Sequence, residues 1–326
     1  MKRHLVLLLF ISINIVAYNQ VIKGTIFDKD NHSRINFAYI YFNGTFVGTN
    51  SDNKGYFELD VSKYPSMPVT ISALGYYSVN ISVVSYSKPL TIYLQPKLYE
   101  LDEVVIGGKS NERERKRNMN LFMDTFLGTT KNAKSCLITN PGDILFVSHN
   151  DTLKAFSSNP ILVENQALGY KITYFLDEFV LDVKNESFSF SGNIIFRDDT
   201  AAGETQKLMF ENRRKLTYLG SRMHFFRSLW KNDLDSTNFI LKNSAFEDLS
   251  CKDVVIQEDS LTKYMTYPEE IGICFHSNLP TSFIVFLQEK ANFDIHGYFD
   301  PSSVSWQGEM SLKRIADWLP YEYEMK

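Results

Sequence analysis

Gly48–Leu59 reads GTNSDNKGYFEL. One β-type run ends at Asn50 and another begins at Tyr56, with Ser51-Asp52-Asn53-Lys54-Gly55 between them. Asp and Asn tolerate tight-turn backbone, and Gly accepts a positive φ, so the stretch is read as a hairpin. Its arms are TFVGTN (45–50) and GYFELDV (55–61). Working outward, VIKGTIFD (21–28), FAYIYFN (37–43), PVTISAL (68–74), YYSVNISV (76–83) and LTIYL (90–94) bring the candidate strands to seven within residues 20–98. Short runs at this regular spacing, separated by Gly, Pro, Asn and Asp, specify a β-sandwich rather than a parallel α/β sheet.

The pieces GTIFD (24–28), GTNSDNKGYFEL, ISALGYYS (71–78) and LTIYLQP (90–96) resemble the carboxypeptidase regulatory-like domain. The resemblance implies a transthyretin-type sandwich with a carbohydrate-binding-like fold, of a kind common in Bacteroidetes envelope proteins, over roughly residues 20–98. It implies an accessory module, and fold alone assigns no function. No HxxE or HExxH occurs, and the histidines (His4, His32, His149, His224, His276, His296) are scattered singly, so no zinc peptidase is expected. Asn50, Asp52 and Asn53 do not make a calcium loop, which needs a longer run of oxygen ligands ending in a bidentate Glu.

After the sandwich comes YELDEVVIGG (99–108). LDEVVI resembles the segment leading into the plug of TonB-dependent outer-membrane transporters. A 22-stranded barrel needs about 9–11 residues per strand, and only about 220 residues follow, so no such transporter is expected. Residues 99–110 are read as a linker or an edge strand closing the sandwich, with Gly107-Gly108 as a hinge. The sharper alternative is a strand that docks an envelope partner by β-augmentation. At the other end, MKRHLVLLLFISINIVAYNQ has a basic start (Lys2, Arg3), an apolar run from Leu5 to Ile13, and the small residue Ala17. That is the pattern of a signal peptide over residues 1–19. The run is shorter than the roughly 20 residues a span requires, so no transmembrane span is expected once the signal is cleaved.

Residues 111–326 are read as an α+β domain: an antiparallel sheet covered by one or two long helices. In NERERKRNMNLFMDTFLG (111–128), Met119, Phe122, Met123 and Phe126 fall at helical spacing, which predicts a helix with one docked apolar face. SCLIT, ILFVSH, TLKAFSS, ILVENQ, YKITYFLDEFVLDV and SFSFSGNIIF then read as an antiparallel meander of five to seven strands between Ala133 and Arg197. Glu204 to Lys231 is predicted as one long helix, its stripe formed by Leu216, Leu219, Met223, Phe226 and Trp230. NLFMDTFLGTTKNAKSCLITNP, LVENQALGYKITYFLDEF, RRKLTYLGSRMHFFRSL and RIADWLP resemble the C-terminal region of Bacteroidetes proteins described only as carboxypeptidase-like regulatory domain-containing. The resemblance carries no catalytic residue to this chain.

Composition narrows the function classes. The 44% hydrophobic and 22% charged content is that of a globular protein, and the net charge of −4 gives no basic field for nucleic acid. The 14% aromatic content favours sheets. Three cysteines, Cys136, Cys251 and Cys274, allow at most one internal disulfide and show no metal-ligand spacing. GxSxG, a dinucleotide GxGxxG and a P-loop are all absent, so neither catalytic residues nor a cofactor are expected. Arg213, Arg214, Arg222 and Arg227 flank the long helical stretch. With His224 they can hold a carboxylate or phosphate, since guanidinium forks match those groups; the plainer reading is a sheet-covering helix whose arginines pair with Asp and Glu. Three function classes stand: an exported envelope module that binds a protein partner; a carbohydrate-binding protein with Trp230, Trp306 or Trp318 as a sugar platform; and a hydrolase using two carboxylates. Arg213, Arg222, His224, Arg227 and Trp306 are the candidate ligand or partner contacts.

Overall fold

The computed structural model describes residues 20–82, 88–97, 112–199, 201, 203–258 and 261–325. The signal-peptide reading of residues 1–19 and the linker or edge strand at 99–110 lie outside the described residues.

The N-terminal strands are β1 (Val21–Asp28), β2 (Tyr39–Phe42), β3 (Gly48–Asn50), β4 (Tyr56–Asp60), β5 (Val69–Ser72), β6 (Val79–Ile81) and β7 (Leu90–Leu94). They form two facing sheets, ordered β4-β1-β7 and β3-β2-β5-β6. Alternation decides which side chains enter the sandwich: Ile22 and Ile26 of β1 and Phe57 and Leu59 of β4 are buried, while Lys23 and Glu58 stay outside. Gly24 sits between the two isoleucines because the Phe57 ring occupies the place of a side chain, 2.8 Å from where a Cβ would lie.

The turn at Ser51–Gly55 forms as the residues dictate, but it does not make a hairpin. Asp52 Oδ1 accepts the backbone N–H groups of Tyr56 (2.9 Å) and Lys54 (2.8 Å), and Gly55 has φ +72°. These bonds hold the Asp52 carboxyl below its ordinary range. The flanking strands then part: β3 pairs with β2, and β4 pairs with β1 in the opposite sheet. The turn is the corner at which the chain crosses between sheets. β1 and β7 pair in parallel, with Thr25 beside Thr91 and Phe27 beside Tyr93.

Helix α1 (Glu112–Phe126) packs Phe122 and Phe126 into the next core, with Met119 and Met123 at its margin. That core lies on a six-stranded antiparallel sheet of β8 (Cys136–Ile138), β9 (Ile144–His149), β10 (Thr152–Ser157), β11 (Ile161–Asn165), β12 (Tyr170–Asp182) and β13 (Ser187–Asp198). The strands are those read from the sequence, but they do not form a simple meander. One edge of β12 carries both β11 and β10, and β13 runs along its other edge.

The single long helix is corrected to two, α2 (Glu204–Tyr218) and α3 (Arg222–Lys231). Gly220 takes φ +66° and Ser221 accepts the His224 N–H as N-cap, which starts a new helix at a new angle. The expected stripe is broken with it: Met223 and Phe226 are buried in α3, whereas Leu216 of α2 is 73% exposed. Beyond α3 follow β14 (Phe239–Lys242), β15 (Asp248–Leu249), β16 (Val255–Gln257), β17 (Lys263–Met265), β18 (Ile271–Phe275), β19 (Ser282–Phe286), β20 (Ala291–Phe293) and β21 (Val304–Gly308). They make a five-stranded sheet, β15-β14-β18-β19-β21, and a three-stranded sheet, β16-β17-β20. Residues 112–325 thus enclose two cores rather than one under a single sheet. Phe225, Phe226 and Leu229 of α3 fill the second, and the class stays mainly β with an α+β C-terminal part.

The β2–β3 turn joins the sandwich to the six-stranded sheet. Gly44 N–H donates to the Ile194 carbonyl (2.9 Å), Phe196 N–H donates to the Thr45 carbonyl (3.1 Å), and Asn43 Oδ1 accepts the Ile194 N–H (2.8 Å). The Gly44 carbonyl accepts the Tyr321 N–H (2.9 Å) from the C-terminal segment. Gly44 has φ +79°, and a Cβ there would lie 2.7 Å from the Tyr321 ring. Gly44→Ala is therefore expected to destabilise the protein by about 1–3 kcal/mol. Urea unfolding checks this, and an unchanged midpoint would show that the ring approach imposes no constraint.

Candidate functional site

The arginines read from the sequence are brought close to carbonyl oxygens, not to one another's ligand. Arg227, on α3, donates from Nη1 to the Tyr323 carbonyl (2.7 Å), from Nη2 to the Tyr321 carbonyl (3.1 Å) and from Nε to the His296 carbonyl (2.9 Å). Arg222 donates from Nη2 (2.7 Å) and Nε (3.2 Å) to the Met310 carbonyl, and burial pushes its pKa down to about 10. Arg214 donates to the Leu168 and Gly169 carbonyls and to Asp198, with its guanidinium 3.9 Å from the Tyr170 ring centre. Arg213 is half-buried on α2 and shares none of these partners. The expected pairing with Asp and Glu occurs at Arg214 alone of these four; Arg222 and Arg227 are bonded to backbone.

His224 stands within this row but faces inward. Its Nδ1 accepts the Gly220 N–H (3.2 Å), and its ring packs against Tyr218, Phe239 and Phe275. Burial, then the nearby positive charge of Lys313, pushes its pKa down to about 4. Trp306 is enclosed by Phe225, Phe226 and Phe299, with the Arg222 guanidinium 5.3 Å from its ring centre. Trp318 packs at the margin of the core beneath α1, and Trp230 at the margin of the core around α3. The tryptophans considered as a sugar platform therefore belong to packed surfaces. Cys136, Cys251 and Cys274 are free thiols.

One cavity, of about 290 Å³, is a groove between α1 and the β9–β10 turn. Glu114, Arg117, Asn118, Ser148 and Asp151 line it, and Asn118 Nδ2 donates to Ser148 Oγ (3.2 Å). Glu114 and Asp151 are both exposed, and the volume lies at the low end of ligand pockets, which run from roughly 300 Å³. A polar groove of this size admits water or a small solute. Among the described residues, no Ser hydroxyl or Cys thiol is hydrogen-bonded to a histidine ring, the serines at His224 bonding its backbone only, and no three His, Cys, Asp or Glu side chains converge as metal ligands.

Sequence reasoning missed the outward face of α2. The helix buries Phe210, Thr217 and Tyr218, and holds Phe210 against Gly169. On the opposite side, Leu208 is 56%, Met209 52% and Leu216 73% exposed. Met209 and Leu216 are two turns apart on one stripe, flanked by Thr205 and Asn212. The signal was present, since these apolar residues sit at helical spacing, but projecting a single helix assigned Leu216 to the interior.

The fold is that of a two-sheet sandwich docked on a larger α+β part. Residues 22–106 match the family described as CarboxypepD_reg-like domain. That domain is a generally non-catalytic β-sandwich module. The match runs past β7 and takes in Tyr99–Ile106. No curated protein matches the chain.

Arg227→Ala is expected to lower stability by about 2–4 kcal/mol, because three carbonyl acceptors lose their donor together. Arg227→Lys should recover less than half, as a point-like ammonium does not span the three acceptors. Urea unfolding of both variants checks this; full stability in the Lys variant would contradict it. For His224 the sign follows from a folded pKa below the unfolded one. Its neutral form favours the fold fully above pH 6.5, and about 3 kcal/mol of that is lost as pH falls to about 4. The ring resonances should shift only near pH 4 in an NMR titration. A midpoint at 6.5 would place the ring in water.

Proposed function

We propose that this is a non-catalytic, exported cell-envelope protein that binds a protein partner through the outward face of α2. The observation that carries the reading is the apolar stripe of Leu208, Met209 and Leu216, left in water on a helix whose other side is docked. A helix face of this kind suits a groove on another protein, read by residues at helical spacing. The basic start, apolar run and small residue of the N-terminus support export. The CarboxypepD_reg-like sandwich supports an accessory rather than catalytic role.

A second reading, glycan binding, is favoured by a different surface. On the outer face of β4-β1-β7, Tyr93 is 45% exposed and its ring lies 5.8 Å from Phe27 at 32°, beside the hydroxyls of Thr25 and Thr91. Aromatic faces of this orientation can stack on a sugar ring.

The test is a pull-down from crosslinked envelope fractions with the full chain and with a variant carrying Leu208→Gln, Met209→Gln and Leu216→Gln. Because these side chains are exposed, the unfolding midpoint is expected to stay within about 0.5 kcal/mol of the parent. One envelope protein should be recovered with the parent and lost with the variant. Equal recovery by both, or loss only on deleting residues 20–98, would remove the α2 reading. A Tyr93→Ala loss on a glycan array would instead support the second one.

A further inference from the structure

The edge of β13 is covered along half its length. At Ile194 and Phe196 the backbone groups point off the sheet, where the β2–β3 turn of the sandwich meets them: Gly44 N–H donates to the Ile194 carbonyl, and Phe196 N–H donates to the Thr45 carbonyl. Backbone direction alternates with a period of two along a strand. The irregularity in this ladder lies on β12, between Leu176 and Glu178, so the alternation of β13 continues unbroken. The N–H and C=O groups of Phe188, Phe190 and Gly192 therefore also point off the edge. Among the described residues they meet no backbone partner.

This open half reads Ser187-Phe188-Ser189-Phe190-Ser191-Gly192. Natural edges are protected by Lys, Pro, inward charges or a bulge in the strand itself. The six residues carry no charge and no proline. The first five, Ser187–Ser191, are palindromic about Ser189, which matters for one particular occupant. An antiparallel ladder between identical edges, with its two-fold axis at Ser189, sets Phe188 opposite Phe190 of the other copy and Ser187 opposite Ser191. Phe188 and Phe190 are outward-pointing backbone positions, so each such pair exchanges two backbone hydrogen bonds. Aromatic rings opposite one another across strands add to the pairing. Phe188 and Phe190 stack at 6.1 Å within one chain, with the Arg314 guanidinium 4.0 Å from the Phe188 ring centre, so the pairing would set four rings in a block about the axis.

We infer that the open half of the β13 edge pairs with the same edge of a second copy of this chain, joining two six-stranded sheets into one continuous sheet. The arrangement is isologous and closed, as a two-fold requires. It extends a use of this edge already made by the sandwich. Because the contact is one short strand pair, association is concentration-dependent, in the range of small interfaces.

Ser189 gives the test. Its side chain is exposed, and at the axis it faces its own copy in a close, non-hydrogen-bonded pair. Sedimentation velocity of the full chain across a micromolar series should show the mass double. Ser189→Lys and Ser189→Glu, each alone, should hold the mass at that of a single chain, because like charges meet at the axis. Mixing the two should restore the doubled mass. A parent chain that stays single throughout the series overturns the inference, whatever else lies on that edge. Ser189→Lys that still doubles places any dimer elsewhere and overturns it too. Failure of the mixture to associate overturns the Ser189-centred register.

Discussion

The structure depends on one buried stretch of backbone, the C-terminal segment from Arg314 to Tyr323. It runs where the sandwich, the six-stranded sheet and α3 meet, away from water. The N–H and C=O groups it buries need partners; Asp317, Trp318 and Tyr323 N–H donate to carbonyls within the segment, and other groups are met from different parts of the chain. Asn165 donates to the Ala316 carbonyl (2.9 Å), Gly44 accepts the Tyr321 N–H, and Arg227 caps the Tyr321 and Tyr323 carbonyls. Thr130 and Asn132 donate to the two oxygens of Asp317, and Phe46 N–H donates to Glu322. Side chains follow the same pattern. Ile315, Ala316 and Leu319 lie in the core beneath α1, while Tyr321 also packs on the sandwich core. This explains why guanidinium rather than ammonium sits at position 227. The task is planar, multi-point satisfaction of fixed acceptors, which a rigid fork does with little loss of rotamer freedom.

What the sequence made legible was local. Alternation and apolar runs between turn residues gave β1 to β13 to within a few positions, because most of these strands bury one face, β5 is buried throughout, and either pattern is decided within about five to ten residues. Pairing partners were not legible. Ser51–Gly55 has all the chemistry of a tight turn, and the turn forms; whether its arms pair depends on β1 and β2, which lie elsewhere in the chain. The α2–α3 break is a different failure. Gly220 followed by Ser221 is a stop and a cap, but the apolar spacing ran across it without a phase change, so periodicity outweighed punctuation. The arginines were read as contacts for a carboxylate or phosphate, or as partners of Asp and Glu; Arg222 and Arg227 are bonded to backbone carbonyls. Their carbonyl acceptors could not be foreseen, since backbone carbonyls leave no residue-type signature and, for Arg227, come from 69 to 96 positions away.

The same need for partners in the interior bears on function. A ligand site needs polar groups that converge and remain available. Here Arg222 and Arg227 are bonded to carbonyls, His224 is held neutral by burial, and the Trp306 ring is enclosed. The residues most suggestive of chemistry in the sequence are those that hold the architecture together. The strongly shifted pKa values here trace first to desolvation by burial. His224 and Asp317 illustrate this, each displaced chiefly by burial and each bonded to an internal group of the fold.

Two kinds of surface are left over once interior needs are met, and they differ physically. The α2 stripe offers apolar area without backbone polarity, so whatever covers it must supply shape and hydrophobic contact. The open part of β13 offers the reverse, unsatisfied backbone groups in a fixed array, whose complement must be an extended strand. The sandwich illustrates the second kind within one chain, because its β2–β3 turn meets β13 at Ile194 and Phe196 and stops there. It stops because the turn is short: Gly44 reverses the chain beside Tyr321, and the C-terminal segment then holds it in place. The length of edge left uncovered is thus set by the same constraint that fixes the tail, and the surface available to another molecule follows from how the interior was closed.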